Sequence, residues 1–159
     1  MRRLITVALF LVAAAVLARA DFGDGSAGRT PARVTRIVDG DTVHIAGLGS
    51  SRLIGVDTPE VFGTPECYGA RATRTLTRML RGAGDRITYT YGAERQDRYG
   101  RDLVYLWLPD GTFVNEQLLL RGAAEVLTIA PNDRYERRFE RAEAKARSRM
   151  VGRWRVCGG

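Results

Sequence analysis

Apolar and polar residues alternate in short runs between residues 33 and 108. A period of two is typical of strands that are buried on one face only. Turn-forming Gly, Asp and Pro residues separate these runs, and residues 47–50 are predicted to form the turn before the third strand. The pattern predicts strands at residues 34–38, 42–46, 52–56 and 87–91. Residues 103–108 are apolar on both faces and are predicted to form a central or barrel strand.

Other apolar residues repeat at helical spacing. A first helix is predicted to stop at glycines 82 and 84, with a stripe formed by Tyr68, Ala72, Leu76 and Leu80. A short second helix is predicted at 115–121. A third has a predicted capping box of Asp133 and Glu136 and a stripe formed by Tyr135, Phe139, Ala142, Ala146 and Met150. This order predicts a mainly β, α+β fold: a five-stranded barrel of the OB-fold type with three helices.

Residues 1–20 have the layout of a secretory signal, with two arginines, an apolar run over 4–17 and a small-x-small cleavage site at Ala20. The apolar run is shorter than the ~20 residues that span a bilayer. We therefore predict a cleaved signal, a flexible lead-in at 21–32 and a domain at 33–159. The mature protein is predicted to be secreted, monomeric and free of the membrane, whereas an uncleaved signal would hold it at the cell surface.

The chain is basic, with a formal net charge of +7. Cleavage after Ala20 removes three arginines and no acid, which leaves a charge of +4. A basic domain favours a polyanionic partner such as nucleic acid.

The two cysteines are Cys67 and Cys157. In an exported chain they are predicted to form a disulfide, which closes a loop of about 90 residues. By restricting the unfolded chain, such a bond stabilises the folded state by roughly 4 to 5 kcal/mol in a chain-entropy model. Two free thiols are the alternative. Zinc is not expected, because two distant cysteines and one histidine do not complete a tetrahedral ligand set.

Three polar clusters fall at predicted turns or strand ends: Asp39–Thr42, Arg52 with Asp57–Glu60, and Asp97–Arg101. The Asp-Gly pair of the first cluster is, by itself, the sequence of a hairpin turn. Arg52 and Asp57 would face opposite ways on one straight strand. Gly55 permits a bend and Pro59 ends regular pairing, so Asp57 is predicted to lie beyond the strand.

If the clusters meet, their chemistry is coherent. Asp41, Asp57 and a nearby carbonyl would supply the oxygen ligands that Ca²⁺ prefers. Two arginines would clamp a phosphate and stabilise charge that develops on it. Glu60 would act on a water molecule as general base. Together these groups indicate metal-assisted hydrolysis of a phosphodiester.

The chain resembles the staphylococcal nuclease (thermonuclease) family along nearly the whole predicted domain. The matching stretches are VDGDT at 38–42, RLIGVDTPE at 52–60, DRYGR at 97–101, VNEQLLLRGAAEV at 114–126 and RAEAKARSRMVGRW at 141–154. The resemblance implies an OB-fold-type barrel with three helices. It also implies calcium-dependent cleavage of DNA and RNA that leaves 3′-phosphates.

Carried over by position, the resemblance makes Asp41 and Asp57 the calcium carboxylates and Thr58 a carbonyl ligand. Asp39 matches an aspartate close to the metal that is not a primary ligand. The choice of calcium rests mainly on the resemblance, because two carboxylates and a carbonyl select weakly among divalent ions.

The resemblance also gives Glu60 the position of the general base, and gives Arg52 and Arg101 the phosphate-binding positions. Tyr99 matches a tyrosine near the phosphate of the nucleotide. With its neighbour Arg98, it is predicted to bind nucleic acid.

The chain also departs from the family. The type member has two tyrosines that stack on the nucleotide just before the last helix, whereas residues 126–130 here contain none. Stacking contributes ~1 to 3 kcal/mol per base, so base affinity is predicted to differ. The segment after Glu60 is shorter and contains Cys67.

His44, the only histidine, matches no functional family position and is predicted to be structural or merely exposed.

A secreted calcium-dependent nuclease is therefore the leading hypothesis. A catalytically silent nucleic-acid-binding module of the same fold is the main alternative, and a surface-held calcium-binding protein is a third. The complete set of Arg52, Glu60 and Arg101 favours the nuclease, because a binding module does not need it. The paired arginines also oppose simple cation binding unless an anion joins the site.

Overall fold

The structure is a computed structural model that describes residues 28–158. The predicted signal and residues 21–27 lie outside the described residues. The strands are β1 Thr30–Ile37, β2 Thr42–Ile45, β3 Gly49–Leu53, β4 Gly55–Asp57, β5 Arg86–Gln96, β6 Asp102–Trp107 and β7 Glu125–Leu127. The helices are α1 Gly69–Gly82, α2 Val114–Leu120, α3 Glu136–Ser148 and α4 Arg153–Val156.

Five strands close into a barrel in the order β1-β2-β3-β6-β5. The β3–β6 pair is parallel, and the other pairs are antiparallel. The predicted five-stranded barrel is thus confirmed. β4 and β7 form a separate two-stranded antiparallel sheet that the sequence pattern did not predict.

The predicted third strand at 52–56 is wrong, because the chain leaves the barrel after Leu53 and enters β4 at Gly55. Gly55 has a φ of +77°, and an added Cβ would overlap the ring of Phe139. Only glycine fits such a backbone position without strain. The bend expected between Arg52 and Asp57 is therefore present. The prediction that Asp57 lies beyond a strand is wrong, because Asp57 is the last residue of β4 and pairs with Glu125.

Two predicted segment boundaries also differ. The flexible lead-in was predicted to extend to residue 32, but residues 30–32 pair with residues 87–89 of β5 and belong to the barrel. The turn predicted at 47–50 is shorter, because β3 begins at Gly49 and pairs there with Ile45.

The three predicted helices are confirmed. α1 buries Ala72, Leu76 and Leu80, and α2 begins one residue before its predicted start. α3 buries Phe139 and Ala142, as its stripe predicts.

Two details at the ends of α3 are wrong. The Asp133 side chain makes no capping hydrogen bond, because its backbone carbonyl accepts the N–H of Glu136 and Glu136 is the first helical residue. Met150 lies beyond the helix, with a φ of +51°, and is 51% exposed.

A cluster of aromatic rings joins α3 to the barrel. Tyr105 of β6 lies with its ring centroid 4.8 Å from Tyr135, and Trp107 stacks on Phe113 at 4.6 Å. Edge and stacked aromatic pairs contribute beyond the area that they bury. This cluster fixes the helix that also packs against the Gly55 bend through Phe139.

The C-terminal segment is attached to the domain in two ways. The unpredicted helix α4 buries Trp154, and Cys157 after it forms a disulfide with Cys67, with the two Cα atoms 5.9 Å apart. The predicted pairing is therefore present. Over residues 28–158, every helix is too short or too polar to cross a membrane.

Candidate active site

A groove of about 720 Å³ is lined by the end of β3, the whole of β4, the turn at 97–101 and part of the segment 127–132. It brings together residues that are far apart in the sequence. The predicted site residues that line it are Arg52, Asp57, Glu60, Arg98, Tyr99 and Arg101. Asp41 and Thr58 are buried and contact one another below this surface.

The two aspartates of the first cluster differ in what their side chains contact. Asp39 Oδ1 accepts hydrogen bonds from the N–H groups of Asp41, at 3.0 Å, and Thr42, at 2.7 Å. This arrangement shapes the turn that joins β1 to β2. An added Cβ on Gly40 would lie 2.7 Å from Thr58 Oγ1, so glycine lets the turn approach Thr58. The hairpin turn predicted here is present, and it directs Asp41 inward.

The Asp41 carboxylate is 4% exposed and is surrounded by donors. Its Oδ2 accepts the Thr58 N–H at 2.9 Å and the Thr58 hydroxyl at 3.0 Å, and its Oδ1 accepts the Thr42 hydroxyl at 3.0 Å. Burial raises the pKa of Asp41 above its ordinary value, although the charge of Arg52 and the Thr58 hydrogen bonds oppose this shift. The buried carboxylate therefore depends on cationic and hydrogen-bonding partners.

Arg52 joins the first two clusters. From β3, its Nη1 contacts Asp41 Oδ1, and its Nη2 donates to Asp57 Oδ1 at 2.7 Å. Nη2 also lies 3.3 Å from the carbonyl oxygen of Val56. Two carboxylates thus converge on one positive charge, which is the donor chemistry that a hard divalent cation also requires. Among residues 28–158 no three His, Cys, Asp or Glu side chains form a metal-binding group, so carbonyl and water oxygens would have to complete the shell.

The third cluster is a turn built around Asp97. Its Oδ1 accepts the N–H groups of Tyr99, at 2.9 Å, and Arg101, at 3.0 Å, and its Oδ2 accepts Arg101 Nε at 2.7 Å. Burial acts to raise the pKa of Asp97, but the hydrogen bonds from Arg101 and Tyr99 outweigh it, so the pKa lies below its ordinary value. Asp97 therefore holds the guanidinium of Arg101 at the edge of the groove.

Tyr99 is 67% exposed, and the guanidinium carbons of Arg98 and Arg101 lie 4.8 Å and 5.5 Å from its ring centroid. Leu127 and Ile129, which also line the groove, are exposed as well. At these two positions the lining of the groove is therefore aliphatic.

Glu60 is exposed and lies three residues after the end of β4. Its backbone N–H donates to Glu66 Oε2 at 3.1 Å, and its carbonyl accepts the Glu66 N–H at 2.9 Å. Glu60 is among the residues that line the groove, together with Arg52 and Arg101.

Several residues that position the site were not identified from the sequence. Asn115, fully buried on α2, donates to the carbonyl of Ile54 at 2.8 Å and accepts the N–H of Leu106 at 2.9 Å, which ties the bend to β6. Asn132 exchanges two hydrogen bonds with the backbone of Glu94. Both asparagines lie next to predicted turns or helix ends, where asparagine is common as a capping residue, so the sequence did not indicate that they position the site.

His44 lies on β2, with its Nε2 2.7 Å from Arg36 Nη2. It is not among the residues that line the groove. That His44 is structural or merely exposed remains a prediction.

A closed barrel of this strand order, with helices on its outside and a polar groove at β3 and β4, is an OB-fold type of α+β domain. The family described as "Staphylococcal nuclease homologue" matches residues 50–156. The chain therefore belongs to this family.

Curated relatives agree with this assignment. The chain is 38% identical over 127 residues to "Thermonuclease" of Staphylococcus intermedius, covering 76% of this chain and 74% of the relative. It is 32% identical over 170 residues to "Thermonuclease" of Staphylococcus hyicus, covering 97% and 99%. It is 35% identical over 135 residues to "Endonuclease YhcR" of Bacillus subtilis (strain 168), covering 76% of this chain and 11% of the relative.

Proposed function

We propose that this protein is a secreted, calcium-dependent nuclease that hydrolyses phosphodiester bonds of DNA and RNA and leaves 3′-phosphates. The observation that carries the proposal is the convergence of Arg52, Asp57, Glu60 and Arg101 on one groove, with Asp41 bound to Arg52 at its base. Membership of the nuclease family and the names of the relatives support it.

A calcium ion would be held by the carboxylates of Asp41 and Asp57 and the carbonyl of Thr58. When bound, it would supply positive charge that polarises the phosphate. The residues fit this function because Asp41 and Asp57 already face one shared cationic group. Asp39 is placed to hold the turn rather than to be a ligand, since its Oδ1 accepts two backbone N–H groups.

The chain's own side chains would carry the remaining steps. Glu60 takes a proton from a water molecule as that water attacks phosphorus. Arg52 and Arg101 bind the phosphate oxygens and stabilise the charge that grows on them. The bond from phosphorus to the 5′-oxygen breaks, this oxygen takes up a proton from solvent, and a 3′-phosphate and a 5′-hydroxyl remain.

Tyr99 and Arg98 would bind the nucleic acid next to this centre. Leu127 and Ile129 offer an apolar surface to a base across the groove. Without aromatic stacking, we expect weaker retention of single nucleotides than of longer strands, which also contact the arginines of the 97–101 turn.

The decisive experiment incubates the purified protein with single-stranded DNA and with RNA, in calcium and in a chelator, beside Glu60→Gln. We expect calcium-dependent cleavage that falls by about 10²- to 10⁴-fold in the variant, the usual contribution of a positioned general base. The 3′ ends should resist extension by a polymerase until a phosphatase has treated them. Binding without cleavage by the wild-type protein would replace this proposal with the silent binding module.

Secretion is a separate part of the proposal and rests on the sequence of residues 1–20. Mass spectrometry of protein from the culture medium should find an N-terminus at Asp21. An intact Met1 on cell-bound protein would support surface retention instead.

A further inference from the structure

Glu60 begins an exposed segment that leads from β4 to α1. Residues 62–67 are all exposed, and even the large side chain of Phe62 is 62% exposed. Burial of side chains therefore does not fix the path of this segment. Polar contacts and covalent links must therefore fix the position of this segment and of Glu60, the proposed general base.

Glu66 contacts both backbone polar groups of Glu60. Its Oε2 accepts the Glu60 N–H at 3.1 Å, and its own N–H donates to the Glu60 carbonyl at 2.9 Å. We call this pair of contacts the Glu66 clasp. A carboxylate that accepts a backbone N–H forms a charge-assisted bond, which is stronger than a neutral one.

The end of the clasp is packed closely against α1. The N–H of Gly69 donates to the carbonyl of Glu66 at 3.2 Å. A Cβ on Gly69 would lie 2.8 Å from the carbonyl oxygen of Pro59 and closer still to that of Glu60. The first residue of α1, Gly69, therefore packs directly against the backbone carbonyls of residues 59 and 60.

The residue after Glu66 is Cys67, which is bonded to Cys157. Cys157 follows α4, whose Trp154 is buried and whose Arg153 N–H donates to the carbonyl of Gly122 at 2.9 Å. The exposed segment is therefore linked covalently to a part of the domain that burial and hydrogen bonds fix.

We propose that Glu66 is a positioning residue for Glu60, and that the Cys67–Cys157 disulfide holds the Glu66 clasp in place. This inference rests on the proposed function of Glu60 as general base. A displacement of about 1 Å in a reacting group lowers turnover by on the order of 10²-fold. A clasp on the backbone of the base itself therefore affects turnover more than substrate binding.

The test compares Glu66→Ala, Glu66→Gln and a double variant with serine at both cysteines, beside Glu140→Ala as a control. Glu140 is an exposed glutamate of α3 outside the groove. For each purified protein we measure kcat, KM, the thermal midpoint, and hydrogen exchange at the Glu60 N–H by NMR.

Glu66→Ala should lower kcat about tenfold and change KM by less than about twofold, because one charge-assisted bond is lost. Glu66→Gln should lose less than about threefold, since its amide oxygen still accepts the N–H. The disulfide variant should lower kcat as Glu66→Ala does and also lower the thermal midpoint. Exchange at the Glu60 N–H should be faster in both, and Glu140→Ala should match the wild type.

Two results would overturn the proposal: equal losses in Glu66→Gln and Glu66→Ala, or unchanged kcat and exchange in Glu66→Ala. If the wild-type protein does not cleave nucleic acid, the proposed function fails. Exchange at the Glu60 N–H then decides separately whether the clasp holds this residue.

Discussion

The two halves of the candidate site are built differently. The inner half consists of Asp41 before β2, Arg52 on β3 and Thr58 after β4, and the buried carboxylate of Asp41 contacts both of the others. The outer half consists of Glu60 and Arg101, which lie on a loop and a turn and are held mainly by backbone hydrogen bonds and ion pairs.

This difference teaches where stability and activity are coupled. In the inner half, each group compensates the burial of another, so a substitution should affect folding and catalysis together. In the outer half, the side chains are partly exposed and substitutions should affect catalysis with little change in folding. The predictions below test this separation, beginning with the largest effect.

Arg52→Ala should have the largest effect. It leaves Asp41 buried without its cationic partner, which lowers the free energy of unfolding by about 3 to 5 kcal/mol. It also removes a phosphate-binding group, so turnover should fall by about 10³-fold. Urea unfolding and a nuclease assay on the same preparation measure both.

Arg52→Lys is the matched control, because it keeps the charge but not the planar fork that joins Asp41 to Asp57. It should recover part of the stability and little of the turnover. If Arg52→Ala unfolds like the wild type, the coupling described for the inner half does not exist.

Arg101→Ala should separate activity from stability. Turnover should fall by about 10²- to 10³-fold, because a group that stabilises the transition state is lost. The free energy of unfolding should fall by less than about 1 kcal/mol, since the ion pair with Asp97 is partly exposed. Normal turnover in this variant would remove Arg101 from the mechanism.

Thr58→Val should have a smaller effect, confined to the inner half. It removes the hydroxyl that donates to Asp41 Oδ2 and keeps the shape of the side chain. The free energy of unfolding should fall by about 1.5 to 3 kcal/mol, the contribution of a hydrogen bond to a charged group.

Thr35→Val is its control, because the Thr35 hydroxyl donates to a neutral carbonyl, that of His44, at an exposed position. It should change the free energy of unfolding by less than about 0.5 kcal/mol. If the free energy of unfolding falls equally in the two variants, burial next to a carboxylate does not strengthen the hydrogen bond of Thr58.

The smallest effect is a pH dependence at Asp97. Its folded pKa lies below the ordinary value of 3.8, so its contribution to stability is present above that pH and is lost as the pH falls through the folded pKa. Asp97→Asn should therefore differ from the wild type most at pH 7, by less than about 1 kcal/mol, and progressively less as the pH falls below 3.8. Urea unfolding at several pH values measures this, and a difference that grows on acidification would contradict it.

Much of the fold could be predicted because it follows from local patterns. Alternation indicated the barrel strands β1, β2 and β5, and the four-residue spacing of Ala72, Leu76 and Leu80 indicated α1. The bend at Gly55 was predicted, but the departure of β4 from the barrel was not, because Phe139, which lies beside Gly55, is distant in the chain. The short strand β7 likewise exists only because β4 lies beside it.

For the candidate site, the residue types and their clustering at turns were predictable, but the contacts among them were not. Nothing in the sequence indicates that Arg52 binds both Asp41 and Asp57, or that Asn115 ties the bend at Ile54 to β6. Glu66 gave no signal, because a glutamate in a loop is ordinarily solvated. Asp97 was part of the third predicted cluster, and its four-residue spacing from Arg101 could have indicated the ion pair between them.

The Cys67–Cys157 bond also changes what a protease can do to this protein. Every residue from 68 to 156 lies within the covalent ring that the bond closes, including the exposed turn with Arg98 and Tyr99. A single cut there by trypsin opens the ring but releases no fragment. The nicked protein would run as one band on a gel without reductant and as two bands with it, with both parts of the groove still joined.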